Sequence, residues 1–191
     1  MKQIIAILLL TMFTSLAYTQ PKRQMKKLEK EVEKAKAAHK ASLEKNPMLP
    51  YTEIDAKLVP FHFINSKHEL VSLNEIPSHE PIMLVFFNPM CDHCLDAAKE
   101  IKKHIQRFKN MTILYVTGIN LLDELDAFKE SAGVRDIPNF IVCGAKEEYT
   151  KQLFKGNGIP QFMFYNQKHI LQHIDYKTFT VDTAMHYLQK Q

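Results

Sequence analysis

The feature that most constrains the fold of this chain is a cysteine pair directly after an apolar run. The run Ile82–Phe87 ends at a polar turn containing Pro89, and Cys91 and Cys94 then precede a segment with helical apolar spacing. Residues three apart lie on one face of a helical turn, within the Cα separation that a disulfide tolerates. The N–H groups and dipole at a helix N-terminus favour a thiolate at the first cysteine. The motif therefore predicts a redox-active pair at a strand-to-helix junction.

The third cysteine, Cys143, lies in the apolar run Phe140–Cys143. Three cysteines in a chain of 191 residues do not build a multi-disulfide scaffold. We interpret Cys143 as a small buried side chain on a strand. A resolving thiol or a third metal ligand is the alternative.

The N-terminus has the pattern of a secretory signal over residues 1–17. Lys2 supplies a short positive region, Ile4–Leu10 the apolar region, and Ser15–Ala17 a cleavage site of small residues. The apolar stretch is shorter than the about 20 residues of a membrane span, although an uncleaved membrane anchor is the alternative. No cysteine near this site could carry a lipid. The sequence thus predicts export, to the bacterial periplasm, where a disulfide can persist.

Residues 18–50 are expected to form a basic helical arm and a linker. Between Pro21 and Lys45 the chain carries nine Lys/Arg and four Glu, whereas the whole chain has a net charge of only +4. The basic charge therefore belongs to the arm, and the body lacks the basic face that nucleic-acid binding needs. The alternative roles of this arm are a weak contact with an anionic membrane surface and a short coiled coil. The segment Asn46–Pro50 breaks the helix and separates the arm from a domain at 51–191.

Strand and helix patterns alternate along this domain. They predict an α/β fold with a mixed central sheet flanked by helices. The predicted strands are Leu58–Ile64, Glu69–Leu73, Ile82–Phe87, Met111–Val116, Phe140–Cys143, Gln161–Tyr165 and His169–Asp175. Four helices are predicted: one directly after the cysteines, one from Leu121 to near Gly133, one over Glu147–Phe154, and one that begins at a Thr180 cap.

With these motifs the domain resembles the thioredoxin superfamily, in its extracytoplasmic TlpA/ResA-like branch. The resemblance rests on Cys91-Asp92-His93-Cys94, on Gly158–Phe164, and on a first strand pair that resembles the N-terminal β-hairpin extension of that branch. It implies that Cys91 is the nucleophile, that Cys94 is the buried resolving thiol, and that the two form a disulfide. It also implies a cis peptide at Pro160, with the backbone of Ile159 pairing with a substrate strand.

Two departures from the family pattern concern the cysteine pair. Met90 stands where the family usually has an aromatic residue, and the run Ile82–Phe87 lacks the buried acid that many members place behind the second cysteine. Water or an acid from elsewhere must then accept the Cys94 proton. Asp92 and His93 have opposite effects on the thiolate form of the neighbouring cysteine, because a carboxylate disfavours a thiolate and a protonated histidine favours it. Met90, Asp92 and His93 are therefore expected to modulate the direction of the chemistry.

The resemblance implies a protein-disulfide oxidoreductase, acting as a reductase, without a cofactor and with an upstream electron donor. A disulfide oxidase is one alternative, and a copper or zinc module using Cys91, His93 and Cys94 is another. A thiol peroxidase requires Ser or Thr shortly before its cysteine, and the segment Asn88-Pro89-Met90 contains neither. A non-catalytic binding protein with the same fold is the last alternative.

Overall fold

The computed structural model describes residues 51–58, 61–73, 76–77 and 79–189. The predicted signal at 1–17 and the predicted arm and linker at 18–50 lie outside these residues. Across the described part of the chain, no helix combines the length and the apolar character needed to cross a membrane.

The described residues form seven strands, four α-helices and two short 3-10 segments. In chain order these are β1 His62–Ile64, β2 Leu70–Ser72, β3 Ile82–Phe86, α1 Asp92–Lys103, the 3-10 segment Ile105–Phe108, β4 Thr112–Gly118, the 3-10 segment Ile119–Glu124, α2 Leu125–Ala132, β5 Phe140–Ala145, α3 Glu147–Leu153, β6 Gln161–Tyr165, β7 Leu171–Tyr176 and α4 Val181–Leu188.

The strands form one mixed sheet in the order β2-β1-β5-β4-β3-β6-β7. Strands β3, β4 and β5 pair in parallel, whereas β6 and β7 extend the sheet antiparallel on one side and β1 and β2 on the other. The central strands are buried on both faces, which explains their continuous apolar sequences. The predicted α/β fold with a mixed sheet and an N-terminal β-hairpin is confirmed.

Alternation along the strands divides the interior into two cores. The first core lies under α1, α2 and α4 and contains Val85, Cys94 and Tyr115. The second core lies on the other face of the sheet and contains Cys143 and Tyr165. Each core thus holds a buried cysteine and a buried tyrosine.

Helix ends follow the predicted signals. The Thr180 hydroxyl accepts a hydrogen bond from the backbone N–H of Thr183 at 3.1 Å, which caps α4. Helix α2 ends at Gly133, whose φ of 65° is the left-handed conformation that glycine tolerates best. The segment from Ile119 is a 3-10 segment rather than the first turns of α2.

Two strands begin two or more residues later than the sequence predicts. The first covers only His62–Ile64, and the residue Lys57 before it makes an isolated bridge to Ile170. The strand predicted from His169 begins at Leu171. His169 has a φ of 57°, so it belongs to the turn and not to the extended strand.

Candidate active site

The turn after β3 positions Cys91. The backbone N–H of Phe87 still donates to the Val116 carbonyl at 3.1 Å, so β4 holds the strand up to the turn. The Asn88 side-chain oxygen then accepts from the Met90 N–H at 2.9 Å, and the Asn88 carbonyl accepts from the Cys91 N–H at 3.1 Å. Asn and Pro both favour turns, and Asn does so by accepting a hydrogen bond from the backbone two residues on, as here. The turn therefore places Cys91 at the start of α1.

Cys91 is the N-cap residue of α1. Its backbone is extended, with φ −95° and ψ 119°, and its carbonyl accepts from the N–H groups of Cys94 and Leu95 at 3.0 Å each. No side chain caps this helix. The first N–H groups of a helix have no partner within it, and Cys91 lies beside those of α1. The side chain of Cys91 is half-buried and its sulfur is a free thiol.

Cys94 lies one helical turn further on and is 0% exposed. The pKa of its thiol is raised from 9.0 to about 12, mainly by burial and also by the hydrogen bond and charge of Cys91, while a backbone hydrogen bond at Asn88 acts in the lowering direction. Cys94 therefore holds its proton while Cys91 is the accessible sulfur. Both are free thiols in this structure, so the Cys91–Cys94 disulfide stays a prediction.

The segment that contains Pro160 lies at the same end of the sheet. The peptide bond between Ile159 and Pro160 is cis. Gln161 pairs with Phe86 in the antiparallel β3–β6 ladder, so Pro160 precedes β6 where β3 enters the cysteine turn. The Pro160 carbonyl accepts from the Lys177 N–H at 2.8 Å, and Ile159 packs on the first core, as Cys91 does.

The three residues expected to modulate the pair face solvent. Met90 is 65% exposed and directly precedes Cys91. Asp92 lies in the first turn of α1, where a negative charge favours the helix. His93 is exposed and lines a recess beside α1 that also includes Lys177 and Phe179.

The structure adds a residue that the sequence did not single out. Tyr115, on β4, is 0% exposed, and its hydroxyl has no hydrogen-bond partner among the described residues. Burial raises its pKa well above the ordinary value, and the charge of a Cys94 thiolate raises it further. The only signal in the sequence is one phenol hydroxyl in the otherwise apolar run Ile113–Val116.

The remaining polar residues of the interior do not replace the missing acid. Among the described residues no carboxylate is buried; the buried polar side chains are those of Thr112, Thr117, Thr150, Gln161 and Asn166. Cys143 lies in the second core, away from Cys94, and its thiol donates to the Tyr115 carbonyl at 3.5 Å. No group of three or more His, Cys, Asp or Glu within the described part of the chain is placed to hold a metal ion.

Solved structures show what this arrangement is similar to. A thioredoxin-like protein from Bacteroides caccae has a TM-score of 0.56 at 20% identity, over 82% of this chain and 55% of its own length. The thioredoxin domain of a thiol-disulfide oxidoreductase from Bacteroides vulgatus has a TM-score of 0.56 at 14% identity, over 70% of this chain and 94% of that domain.

A secreted disulfide oxidoreductase from Mycobacterium tuberculosis has a TM-score of 0.54 at 13% identity, over 67% of this chain and 93% of its own. No known family model and no curated protein matches the sequence. At these identities the likeness concerns the fold. The chain therefore has the thioredoxin-like fold.

Proposed function

We propose that this protein is a thiol-disulfide oxidoreductase that acts on protein disulfides through Cys91 and Cys94. The observation that carries the proposal is the asymmetry of the pair: an accessible thiol caps a helix, and a buried thiol lies one turn behind it. The first sulfur is accessible to a substrate disulfide, whereas burial keeps the second protonated until it is needed. This difference between the two sulfurs suits disulfide exchange.

In the direction of reduction, the Cys91 thiolate attacks one sulfur of a substrate disulfide. A mixed disulfide forms and the substrate's other sulfur leaves as a thiolate, which takes up a proton. Cys94 then attacks the Cys91 sulfur, the pair becomes a disulfide, and the second substrate thiol is released. A dithiol donor restores the pair by the same exchange in reverse.

The surface around Cys91 suits a peptide substrate. The exposed thioether of Met90 offers an adaptable apolar contact beside the sulfur. The backbone groups of Ile159 pair with no other residue in the described part of the chain. An extended substrate segment can therefore add to this backbone, with its disulfide over Cys91.

We assign the direction as reduction and the location as extracytoplasmic, in the periplasm. The signal pattern of residues 1–17 supports export, and the structurally similar Mycobacterium tuberculosis protein is described as secreted. Asp92 and His93 tune the pair, because their charges act in opposite senses on a neighbouring thiolate. A disulfide oxidase is the second candidate, since the same cysteines serve it with the electrons flowing the other way.

The experiment is reduction of a model protein disulfide with a small dithiol as electron source. We expect Cys91→Ala to abolish turnover and Cys94→Ala to accumulate a mixed disulfide that is visible on non-reducing gels. Cys143→Ala is the matched control and should retain full activity. Turnover by Cys91→Ala at the wild-type rate would contradict the proposal.

The equilibrium potential of the pair against glutathione separates reductase from oxidase. A potential near the about −270 mV of thioredoxin supports reduction, and one near about −120 mV supports oxidation. Metal analysis of the purified, reduced protein tests the copper or zinc alternative. That alternative requires stoichiometric metal in the wild-type protein and its loss in Cys91→Ala.

A further inference from the structure

Gln161, the first residue of β6, is a buried polar side chain that the chemistry of the cysteines does not explain. It is 0% exposed, and both ends of its amide bind the backbone around the end of α3. Its Nε2 donates to the Leu153 carbonyl at 2.6 Å, and its Oε1 accepts from the Lys155 N–H at 2.9 Å. Because a carbonyl requires a donor and an N–H requires an acceptor, the two bonds fix the orientation of the amide.

The bond to Lys155 closes the loop 155–161, which carries Ile159. A single side chain thereby joins the last residue of this loop to its first. The loop contains Gly156 and Gly158, which have φ values of 77° and 117°. Glycine gives a free chain many accessible conformations, so a loop with two glycines gains order from a link between its ends. Gln161 provides that link.

Two further contacts hold this loop to the sheet. Phe154, directly before the loop, stacks on Phe86 with the ring centroids 4.7 Å apart, and Phe86 is the ladder partner of Gln161 in β3. At the other end of the loop, the Lys177 N–H donates to the Pro160 carbonyl at 2.8 Å. The loop is therefore fixed against β3 and against the segment after β7 before any substrate binds.

A fixed loop matters most for a partner that pairs with its backbone. An extended segment that adds to a sheet edge gains its affinity from main-chain hydrogen bonds. Those bonds are formed at a lower entropic cost when the receiving backbone is already ordered. The backbone groups of Ile159 pair with no other residue that the structure describes, so the loop offers them to a substrate.

We propose that Gln161 is a positioning residue whose amide fixes the loop 155–161, so that the backbone of Ile159 can pair with a protein substrate. This inference rests on the proposed function, since it concerns the substrate-pairing backbone of that site. The hydrogen bonds of the amide go to the segment 153–155. Gln161 therefore acts on the recognition of a protein disulfide, and the reaction of Cys91 with a small disulfide does not depend on it.

The test compares a protein disulfide with a small one. Insulin is the protein probe, and its reduction with a small dithiol as electron source gives KM and kcat. Dithionitrobenzoate is the small probe, an aromatic disulfide that is mixed with the reduced protein and whose released thiolate is coloured. Because dithionitrobenzoate has no peptide backbone, it cannot pair with Ile159, and its rate reports the reactivity of Cys91 alone.

We expect Gln161→Leu to raise the KM for insulin about tenfold, because pairing with a loosened loop is weaker by about the value of a hydrogen bond. The kcat for insulin and the rate with dithionitrobenzoate should stay within about twofold of wild type, which is the pattern of lost substrate binding. The matched control is Gln172→Leu on β7, where the side-chain Nε2 donates to the Ile170 carbonyl at 3.2 Å. It should alter none of these quantities.

Gln161→Glu separates the hydrogen bonds from the packing of the side chain. A protonated Glu has nearly the shape of Gln, and its O–H can donate to the Leu153 carbonyl while its other oxygen accepts from the Lys155 N–H. The ionised form has no donor. Burial favours the protonated carboxyl and raises its pKa, so at about pH 5 this variant should have the insulin KM of wild type at the same pH. Its KM relative to wild type should rise with pH as the carboxyl ionises.

The outcomes separate this inference from the proposed function. A wild-type insulin KM in Gln161→Leu overturns the role of Gln161 and leaves the oxidoreductase intact. An equal loss of rate with dithionitrobenzoate indicates a general disturbance of the site and also overturns it, as does a Gln161→Glu KM at about pH 5 that is as high as that of Gln161→Leu. A wild-type protein that does not reduce insulin contradicts the proposed function itself. Thermal melts verify that each variant is folded at the assay temperature, and Gln161→Glu keeps both hydrogen bonds at low pH if Gln161→Leu is unfolded.

Discussion

The two faces of the sheet contain the same pair of residue types with different surroundings. In the first core, Cys94 is three residues from an accessible thiol at the start of a helix, and the Tyr115 hydroxyl is unpaired. In the second core, Cys143 lies within β5 and its thiol donates to a backbone carbonyl. The hydroxyl of Tyr165 contacts the Met163 sulfur.

The comparison shows that burial alone does not make a cysteine part of a redox pair. Burial raises the pKa of both Cys94 and Cys143. The difference lies in what surrounds each thiol. Cys94 has the accessible thiol of Cys91 three residues away, whereas the Cys143 thiol donates to a backbone carbonyl. We therefore expect the two faces to differ in chemistry far more than in stability.

The largest expected difference concerns thiol alkylation of the native, reduced protein. Cys91 should react rapidly with iodoacetamide, whereas Cys143, which is 0% exposed, should react only through unfolding. For a domain stability of about 5–15 kcal/mol, opening makes labelling of Cys143 slower by at least about a thousandfold. Peptide mass spectrometry at timed intervals measures both sites. Equal labelling of Cys91 and Cys143 in the folded protein would remove the distinction between the two faces.

At high pH, by contrast, the two faces should behave alike. Each buried thiol binds its proton more tightly in the folded protein than in the unfolded chain, so its contribution to stability is complete below the unfolded pKa. It is lost as the pH rises through the folded pKa. For Cys94 that window runs from 9.0 to about 12. Urea unfolding of the reduced protein should therefore show stability falling with pH above about 9.

The variants that isolate this effect are Cys94→Ala and Cys143→Ala. Each should flatten the fall in the unfolding free energy above pH about 9, since each removes one buried thiol that is neutral in the folded state. The wild-type protein in parallel urea titrations is the reference. A slope unchanged in both variants would show that neither thiol is responsible.

A smaller effect is expected for the stability of Cys143→Ala at neutral pH. Removing a fully buried sulfur leaves a small cavity and should lower the unfolding free energy by about 1–2 kcal/mol. Turnover should be unchanged, because the second core contributes no group to the proposed site. Denaturant unfolding and the reductase assay measure the two quantities on one preparation. A loss of turnover without a loss of stability would place Cys143 in the chemistry.

Local sequence signals predicted the elements that position the cysteines. Pro89, the i, i+3 cysteines and the apolar periodicity act within about one turn of chain, so the strand, turn and helix follow from the sequence. The mixed sheet followed from the alternation of strands and helices. The burial of Cys143 likewise follows from its apolar run.

The features that could not be predicted depend on contacts between distant segments. Tyr115 lies 21 positions after Cys94 in the sequence, and nothing local distinguishes a satisfied tyrosine from an unpaired one. The start of β7 was predicted too early, because His169 adopts a left-handed turn conformation that an extended pattern does not reveal. Long-range packing thus determines which polar partner a buried group has, whereas local sequence determines the strand, turn and helix around the cysteine pair.

The smallest expected effect concerns the stability of the variants Tyr115→Phe and Tyr165→Phe, one from each core. In the dithiol form the Tyr115 hydroxyl has no partner among the described residues, so Tyr115→Phe removes an unsatisfied group and should raise the unfolding free energy by about 1 kcal/mol. Tyr165→Phe loses only a weak contact with sulfur at 4.0 Å, and its stability should stay within about 0.5 kcal/mol of wild type. Urea unfolding of both reduced variants measures this. A more stable Tyr115→Phe beside an unchanged Tyr165→Phe is the result expected of an unsatisfied buried hydroxyl, whereas destabilisation by Tyr115→Phe would show that the hydroxyl already has a partner in the dithiol form.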